Sequence, residues 1–291
     1  MKRVAAILIA VTFLSWLLSG PAFGQSGVFA VLDPNLPPDD DWSWDVALGD
    51  VDGDRDLDII FANHGQNLLY VSDSSGAFAD VTSAGFPGNS NLSWGVALGD
   101  VDGDGDLDAV FADTSQNELY LNNGSGLFAD VTLTNLPQDD DDSRGVALGD
   151  VDGDGALDVV FVNRLSRNRL YINDGSGVFE DATAVFLPTH DDWSLDVALG
   201  DVDGDRDLDM VVANFNEQNK LYLNDGSGLF EEVTSTHLPV DSDSSLGIVL
   251  GDSDGDGDLD IVVANFGDNR LYTSKGRPSV PFGLAGCGVR P

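Results

Sequence analysis

The chain has 291 residues, of which 51 are acidic and only 13 are basic, so its formal net charge at pH 7 is −38. This charge argues strongly against nucleic acid as a partner and against binding to anionic membranes. Hydrophobic residues make up 42% of the chain and recur in regular patterns, which argues against a disordered protein. The single cysteine, Cys287, cannot form an internal disulfide.

Residues 1–24 have the pattern of a secretory signal peptide. Two basic residues at positions 2 and 3 precede an apolar run over residues 4–18, and Ala22 and Gly24 supply the small residues of a cleavage site. The alternative is a membrane anchor, but the run is short for a spanning helix and a cleavage site follows it. We therefore expect cleavage near Gly24, secretion to an extracellular or periplasmic location, and no stable membrane insertion.

A nine-residue acidic stretch, which first appears as DVDGDRDLD from Asp50, occurs five times. The copies begin at residues 50, 100, 150, 201 and 252, and a period of this length indicates a propeller or a solenoid. Positions 1, 3, 5 and 9 of the stretch are Asp in every copy, and position 4 is always Gly, which we expect to permit a sharp turn. Position 7 is Asp in four copies and Ala in the third, at Ala156.

This spacing predicts a calcium site in each stretch. Carboxylates two residues apart on a tight loop point their oxygens at one place, which is unfavourable unless a cation neutralises them. Hard oxygen ligands without His or Cys suit Ca²⁺, and Ala156 fits a position that contributes only a backbone carbonyl. An EF-hand is excluded because position 6 varies between Arg and Gly and position 12 is apolar. A β-roll is excluded because its repeat is a nonapeptide.

Each repeat also contains four apolar stretches of strand length. In the second repeat they are residues 94–99, 107–112, 118–122 and 127–132, and an Asn-Asn-Gly-Ser-Gly turn joins the last two. Four short antiparallel strands per repeat are typical of a propeller blade. The five tyrosines occupy one position of the third strand, where we expect them to pack within the blades (Tyr70, Tyr120, Tyr171, Tyr222 and Tyr272).

The two ends of the repeat region predict how the ring closes. The last repeat stops after its third strand, near Ser274, whereas residues 26–29 match the start of a fourth strand. We expect residues 28–33 to complete the last blade with residues 246–274 and so to remove an exposed edge. The prediction is an all-β protein, with a five-bladed β-propeller of four-stranded antiparallel blades over residues 25–276. A tail without blade pattern follows at residues 277–291.

The face opposite the acidic loops is the candidate ligand surface. The loops that enter the first strand of each repeat vary between copies and carry four of the five tryptophans. Exposed tryptophan beside carboxylates and amides is typical of sites for sugars or cationic ligands, the alternative being that these rings wedge between blades. The candidate ligand-binding residues are Trp42, Trp44, Trp94, Arg144 and Trp193.

The remaining polar patterns have simpler interpretations. We expect the Asp runs of the entering loops to be solvated rather than to form a second metal site. The loops between the second and third strands share one asparagine, which we expect to hold the loop backbone (Asn67, Asn117, Asn168, Asn219 and Asn269). The three histidines lie at non-equivalent positions and form no catalytic constellation, so we expect no enzyme (His64, His190 and His237).

The unit GVALGDVDGDGDLDAVFADTSQNELYLNNGSGLFADVT resembles the FG-GAP/VCBS-like repeat of integrin α-subunit propellers and of many secreted bacterial proteins, and also the repeats of ASPIC/UnbV-type proteins. The resemblance covers about residues 26–275. The chain departs from integrins in having five shorter repeats rather than seven, and most copies lack the Phe-Gly and Gly-Ala-Pro signatures.

In this family the acidic loop binds Ca²⁺, which implies about five ions here, one per loop. The resemblance implies that positions 1, 3, 5 and 9 bind through their side chains and position 7 through its carbonyl. The implied metal-site residues are Asp50, Asp52, Asp54, Asp56 and Asp58; Asp100, Asp102, Asp104, Asp106 and Asp108; Asp150, Asp152, Asp154, Ala156 and Asp158; Asp201, Asp203, Asp205, Asp207 and Asp209; and Asp252, Asp254, Asp256, Asp258 and Asp260.

Together these patterns predict a secreted, monomeric, calcium-binding propeller that acts as an interaction or adhesion module. Its expected partner is an extracellular protein or a glycan. The alternatives are a lectin that uses the tryptophan-bearing face and an enzyme that acts on polysaccharide.

Overall fold

The structure is a computed structural model, and it describes residues 36–37, 41–73, 75–88 and 90–274. These residues form five antiparallel sheets that follow one another around a central axis, which confirms the predicted all-β, five-bladed propeller. We number the blades 1 to 5 in chain order and the acidic loops likewise. Blades 1 to 4 have four strands each, and blade 5 has three described strands.

Blade 1 contains β1 (Ser43–Gly49), β2 (Asp58–Asn63), β3 (Leu68–Ser72) and β4 (Phe78–Asp80), followed by the one-turn helix α1 (Thr82–Gly85). Blade 2 contains β5 (Ser93–Gly99), β6 (Asp108–Asp113), β7 (Glu118–Asn122), β8 (Phe128–Asp130) and α2 (Thr132–Asn135). Blade 3 contains β9 (Ser143–Gly149), β10 (Asp158–Asn163), β11 (Arg169–Asn173), β12 (Phe179–Asp181) and α3 (Thr183–Phe186). Blade 4 contains β13 (Ser194–Gly200), β14 (Asp209–Asn214), β15 (Lys220–Asn224), β16 (Phe230–Glu232) and α4 (Thr234–His237), and blade 5 contains β17 (Ser245–Gly251), β18 (Asp260–Asn265) and β19 (Arg270–Tyr272).

In blades 2 to 4 the second strand is buried throughout, because it has a strand on either side and a neighbouring blade above and below. All six residues of β6 are buried, for example. In each blade the acidic loop joins the first strand to the second, and in blades 1 to 4 the turn between the third and fourth strands lies at the same end. The acidic loops therefore share one face of the propeller, as predicted, and the entering loops lie on the opposite face.

The hydrophobic core lies in the seams between consecutive blades. In the first seam Ile60 and Leu69 of blade 1 pack against Phe111 and Tyr120 of blade 2. The seam closes over Gly49, where a Cβ would lie 2.6 Å from Cδ1 of Leu107 and 2.9 Å from Cδ1 of Leu98. Because only glycine leaves this space, the two leucines of the next blade fill a notch that the preceding blade provides. Equivalent leucine pairs fill the notches of the next three seams (Gly99, Gly149 and Gly200).

The seam between blade 5 and blade 1 is packed differently. A Cβ on Gly251 would meet no described atom within 4 Å, and the leucines of blade 1 that match the notch-filling pair, Leu48 and Leu57, are 60% and 58% exposed. On blade 5, Val262 and Leu271 are 39% and 54% exposed, whereas the matching residues of blade 2 are fully buried. The regular seam contact is thus absent at this place among the described residues. The residues predicted to complete blade 5, 28–33, lie outside the described residues, so that closure stays a prediction.

Four one-turn helices, α1 to α4, were not predicted, since four residues are too few to show a helical pattern. In α1 the Asp80 carboxylate accepts a hydrogen bond from the Thr82 backbone N–H (2.9 Å), and the Thr82 hydroxyl accepts one from the Leu69 N–H (2.9 Å). Each helix thereby continues the edge of its own blade. No helix in the described part of the chain is long and apolar enough to cross a membrane.

Leu98 and Leu48 occupy equivalent positions of blades 2 and 1. Leu98 is packed in a seam and Leu48 is exposed, so the two form a matched pair for substitution. We expect Leu98→Ala to lower the free energy of unfolding by about 2–4 kcal/mol, because it leaves a cavity at the Gly49 notch. We expect Leu48→Ala to lower it by less than about 1 kcal/mol. Urea unfolding of both variants measures the difference. Equal losses would contradict the open packing at the fifth seam.

Candidate metal centres

The acidic loops share one backbone conformation, which their own carboxylates hold in place. In loop 1, Asp50 accepts hydrogen bonds from the backbone N–H groups of Gly53 (2.8 Å) and Arg55 (2.9 Å). Gly53 has a φ of 80°, in the left-handed region, so the predicted need for glycine at position 4 is confirmed. The same two bonds and a positive φ at position 4 recur in the other four loops, for example at Asp100 and Gly103.

Three carboxylates of each loop converge, namely those of positions 1, 3 and 9. In each loop one oxygen from each of these residues lies within 4.8 Å of the other two. The five clusters are Asp50, Asp52 and Asp58; Asp100, Asp102 and Asp108; Asp150, Asp152 and Asp158; Asp201, Asp203 and Asp209; and Asp252, Asp254 and Asp260. The fold thus brings together three of the four side chains that the family resemblance implied as ligands in every loop.

Position 9 is the buried member of each cluster, and it anchors the loop to the blade. Asp108 accepts hydrogen bonds from the backbone N–H groups of Val101 (3.0 Å) and Asn122 (2.8 Å), which lie in the loop and at the end of the third strand. Burial raises the pKa of Asp108 to about 7; these two bonds oppose the shift, and the charges of Asp102 and Asp104 add to it. Burial likewise raises the pKa of Asp158 and of Asp209 to about 6.

The side chains of positions 5 and 7 lie outside the converging set. Asp104, at position 5, accepts a hydrogen bond from the Asp106 backbone N–H (2.9 Å). The Asp106 carboxylate occupies the space that a Cβ on Gly124 would need, so it covers the hairpin turn of its own blade. Its side chain therefore has a packing role that the sequence did not indicate.

Position 6 carries a strain that sequence reasoning missed. Arg55 and Arg206 have φ values of 77° and 86°, in the region where the other three loops have glycine. A side chain in this conformation is unfavourable by roughly 1 kcal/mol or more. The sequence does indicate a left-handed backbone here, since Gly stands at this position in three of the five copies.

The donor set fits Ca²⁺. Each loop brings three carboxylates together, and the described clusters contain no His or Cys. Oxygen-only sets of this kind suit a hard divalent cation, which would neutralise carboxylates that the fold holds side by side. Positions 1, 3 and 9 would hold the ion, and positions 5 and 7 remain predicted ligands.

Asp104→Ala and Asp106→Ala separate positions 5 and 7 within one loop. We expect Asp104→Ala to lower the melting temperature in millimolar Ca²⁺, because a site filled at about ten times its dissociation constant contributes roughly 1.4 kcal/mol. Asp106→Ala should have a much smaller effect, since it reproduces Ala156 of loop 3. In excess chelator the two variants should differ much less. Equal losses in Ca²⁺ would overturn the assignment of position 5 as a ligand.

On the opposite face, a β-bulge sets the direction of one side chain at the start of each first strand. In blade 1, Ser43 pairs with Asn63 and Asp45 with Ala62, so Trp44 is the extra residue. The rings of Trp44 and Trp94 stack with centroids 4.2 Å apart, and the Arg144 guanidinium lies 3.8 Å from the Trp94 centroid. Three consecutive blades thus contribute to one stack, in which Trp94 is enclosed on both sides.

The other two candidate tryptophans have different surroundings. Trp42 is 70% exposed and meets the His64 ring edge to face, with centroids 6.1 Å apart. Trp193 is half-buried between Phe215, at 4.8 Å between centroids, and Arg164, at 4.6 Å. Of the predicted ligand-binding residues, Trp42 is therefore the most available to a partner. Trp44, Trp94, Arg144 and Trp193 are less exposed than Trp42 and lie against neighbouring side chains of the protein.

Several Asp residues of the entering loops are paired rather than merely solvated. Asp141 lies 2.6 Å from Arg169, and Asp243 lies 2.7 Å from Arg270, each arginine being the first residue of a third strand. Such partly exposed pairs contribute little stability, typically about 0–1 kcal/mol. The prediction that one asparagine holds the backbone of the loop between the second and third strands is confirmed in all five blades. Asn67, for example, accepts a hydrogen bond from the Asn63 backbone N–H (2.9 Å).

Blade 2 contains a buried acidic residue that has no acidic counterpart elsewhere. Asp113 is completely buried at the end of β6, where the other blades have asparagine (Asn63, Asn163, Asn214 and Asn265). Burial raises the pKa of Asp113 to about 7, and the neighbouring charges of Glu118 and Asp139 add to the shift, while the side chains of Ser93 and Asn91 oppose it. Ionisation of the Asp113 carboxyl near neutral pH therefore destabilises the folded protein.

Asp113→Asn removes this group and copies the other blades. Because the pKa of Asp113 is raised, the native state retains a proton that the unfolded state loses above about pH 4, so wild-type stability falls as the pH rises towards 7. We expect the variant to exceed wild type by about 2 kcal/mol at pH 8 and by less at pH 5. Urea unfolding at the two pH values measures this. Asn163→Asp is the reciprocal control and should destabilise most at pH 8, whereas a difference independent of pH would contradict the assignment.

Comparison with known families agrees with the repeat architecture. Four overlapping segments match the FG-GAP-like repeat, at residues 50–111, 100–161, 150–212 and 201–263, and together they cover well over half of the chain. The chain belongs to the FG-GAP-like repeat family. Each matched segment runs from the acidic loop of one blade to the second strand of the next, so the family unit spans a seam. No protein with a curated description matches the chain.

This FG-GAP propeller is also similar to solved structures. One is an Agrocybe aegerita lectin that recognises non-reducing terminal N-acetylglucosamine (21% identity, TM-score 0.49, 78% of this chain and 65% of the lectin). Another is BBS1N in complex with ARL6DN (13% identity, TM-score 0.54, 86% and 69%), and a third is the V. cholerae biofilm matrix protein Bap1 (17% identity, TM-score 0.46, 80% and 36%). The chain spans less than two thirds of the lectin's length. At these identities the likeness to BBS1N supports the fold alone.

Proposed function

We propose that this chain is a secreted, calcium-binding β-propeller that acts as an interaction or adhesion module. The observation that carries the proposal is the contrast between the two faces. The acidic face repeats one carboxylate cluster five times with the same hydrogen bonds, as a structural metal requires. The opposite face differs from blade to blade, and it presents exposed aromatic side chains such as Trp42 and Phe266.

Secretion supports the calcium role, because the extracellular fluid contains enough Ca²⁺ to fill even weak sites of roughly 10⁻⁴–10⁻³ M. The signal-peptide pattern of residues 1–24 is the basis for this part of the proposal. A chain with one cysteine cannot be stabilised by internal disulfides, so bound ions would be its cross-links. The proposed module has no catalytic role, since the three histidines stand at non-equivalent positions of the repeat.

The calcium proposal predicts a stoichiometry. The protein purified without its first 24 residues should bind about five Ca²⁺ per chain, one for each carboxylate cluster. Elemental analysis after dialysis against millimolar Ca²⁺ gives the number. The same protein should melt at a clearly lower temperature in excess chelator, because ions that bind only the folded state stabilise it. Two or fewer ions per chain would overturn the proposal that all five loops are metal sites.

A lectin function is the second candidate, and the exposure of Trp42 favours it. A flat indole, 70% exposed beside His64, offers an apolar face on which a sugar ring can stack. If a glycan array identifies a ligand, Trp42→Ala should weaken its binding at least about tenfold, equivalent to 1.4 kcal/mol. Leu133→Ala is the control, since Leu133 is an exposed apolar residue of helix α2. Unchanged glycan affinity in Trp42→Ala would exclude this tryptophan as the binding platform.

A further inference from the structure

Three asparagines connect the first four acidic loops in series. Each ends the third strand of its blade, and its side-chain amide donates two hydrogen bonds. Asn122 of blade 2 donates to the Val51 carbonyl of loop 1 (2.8 Å) and to the Leu107 carbonyl of loop 2 (3.1 Å). Asn173 joins loop 2 to loop 3 in the same way (2.7 and 3.0 Å), and Asn224 joins loop 3 to loop 4 (2.7 and 3.2 Å).

These bonds act on the backbone next to the converging carboxylates. Val51 lies between Asp50 and Asp52, which are both members of the loop 1 cluster, and Leu107 directly precedes Asp108. The backbone N–H of Asn122 also donates to Asp108 itself (2.8 Å). One asparagine therefore fixes the position of carboxylates in two successive clusters. In loop 1 the Gly126 N–H adds a further bond to the Val51 carbonyl (2.9 Å).

Loop 5 has no such link among the described residues. The residue that matches Asn122 in blade 5 is Ser274, whose backbone N–H still donates to Asp260 (2.8 Å) but whose buried hydroxyl has no hydrogen-bond partner. A serine side chain is too short to reach the preceding loop. On the other side of loop 5, blade 1 likewise has a serine, Ser72, at this position, and loop 5 itself has Ser253 where the other loops have valine.

The surroundings of loop 5 agree with this difference. Asp252 and Asp254 are exposed, whereas the matching residues of the other four loops are half-buried. The seam that follows loop 5 also lacks the regular contact at Gly251. In loops 1 to 3, by contrast, the valine at position 2 is only 1% exposed because the next blade covers it (Val51, Val101 and Val151).

We propose that Asn122, Asn173 and Asn224 are positioning residues that couple loops 1 to 4 into one cooperative group of metal sites, and that loop 5 binds its ion independently and more weakly. The inference rests on the proposed calcium binding. A filled loop holds its own backbone, and through the asparagine it holds the carboxylates of the next loop, so the second ion meets a site that is already ordered. Loop 5 must be ordered by its own ion alone.

Calorimetric titration of the calcium-free protein with Ca²⁺ tests the proposal. We expect four cooperative sites and one site at least tenfold weaker, and Asp254→Asn should remove only the weak one. Asn173→Ser, which copies Ser274, should split the group of four and weaken binding at loops 2 and 3 several-fold. Ser274→Asn should strengthen the weak site towards the affinity of the others. Asn123→Asp, which copies Asp174 and Asp225 in the adjacent turn position, is the control and should leave the titration unchanged.

Because Ser274→Asn is expected to raise the calcium affinity of loop 5, its result cannot be explained by partial unfolding of the variant. Five equal and independent sites in wild type would overturn the coupling while leaving calcium binding intact. Unchanged titrations for both Asn173→Ser and Ser274→Asn would likewise overturn it. A protein that binds no Ca²⁺ at any loop would overturn the proposed function and this inference together.

Discussion

The structure depends on one contact, repeated between blades, in which two leucines of one blade fill the space over a glycine of the blade before it. Gly49 leaves room for Leu98 and Leu107, and the arrangement recurs at three further seams. A single blade has apolar surface on both sides and cannot bury it alone, so each blade is stable only against its neighbours. The core of the described residues therefore lies mainly in four seams, and a smaller cluster around Ile59, Leu68 and Tyr70 lies on the other side of blade 1.

The acidic loops are part of these seams. Their second residue is a buried valine in loops 1 to 3, and its carbonyl accepts a hydrogen bond from an asparagine of the next blade. The position 9 aspartate ties the same loop to the third strand of its own blade. Electrostatic repulsion among the carboxylates and the packing of the seams consequently act on the same few residues, so an ion that relieved the repulsion would also stabilise the seam.

The two faces of the propeller differ in how freely their side chains can vary. On the acidic face, hydrogen bonds from the backbone fix the carboxylates of positions 1, 3, 5 and 9, which leaves little freedom for substitution there. On the opposite face the bulge at Trp44 turns one side chain per blade towards its neighbours, and the side chain can be tryptophan, arginine or leucine. Since the bulge is a backbone feature, the face can change its chemistry without changing the fold. Blade 2 also accepts a change of side chain without a change of fold, since the buried Asp113 replaces the asparagine of the other blades.

The sequence by itself determined the number of blades, the strand order, the face that carries the acidic loops and the need for glycine at position 4. Five copies of one unit show which positions the unit holds constant, and those positions are set by local backbone geometry and by strand alternation. Only the tertiary structure decided which carboxylates converge, which tryptophans are enclosed and which seam lacks its regular contact. These outcomes depend on residues about 50 positions apart, such as Trp44 with Trp94 and Gly49 with Leu98. The strand pattern of one repeat specifies a blade, but the distance between two blades is set by the volumes of the side chains that meet in the seam.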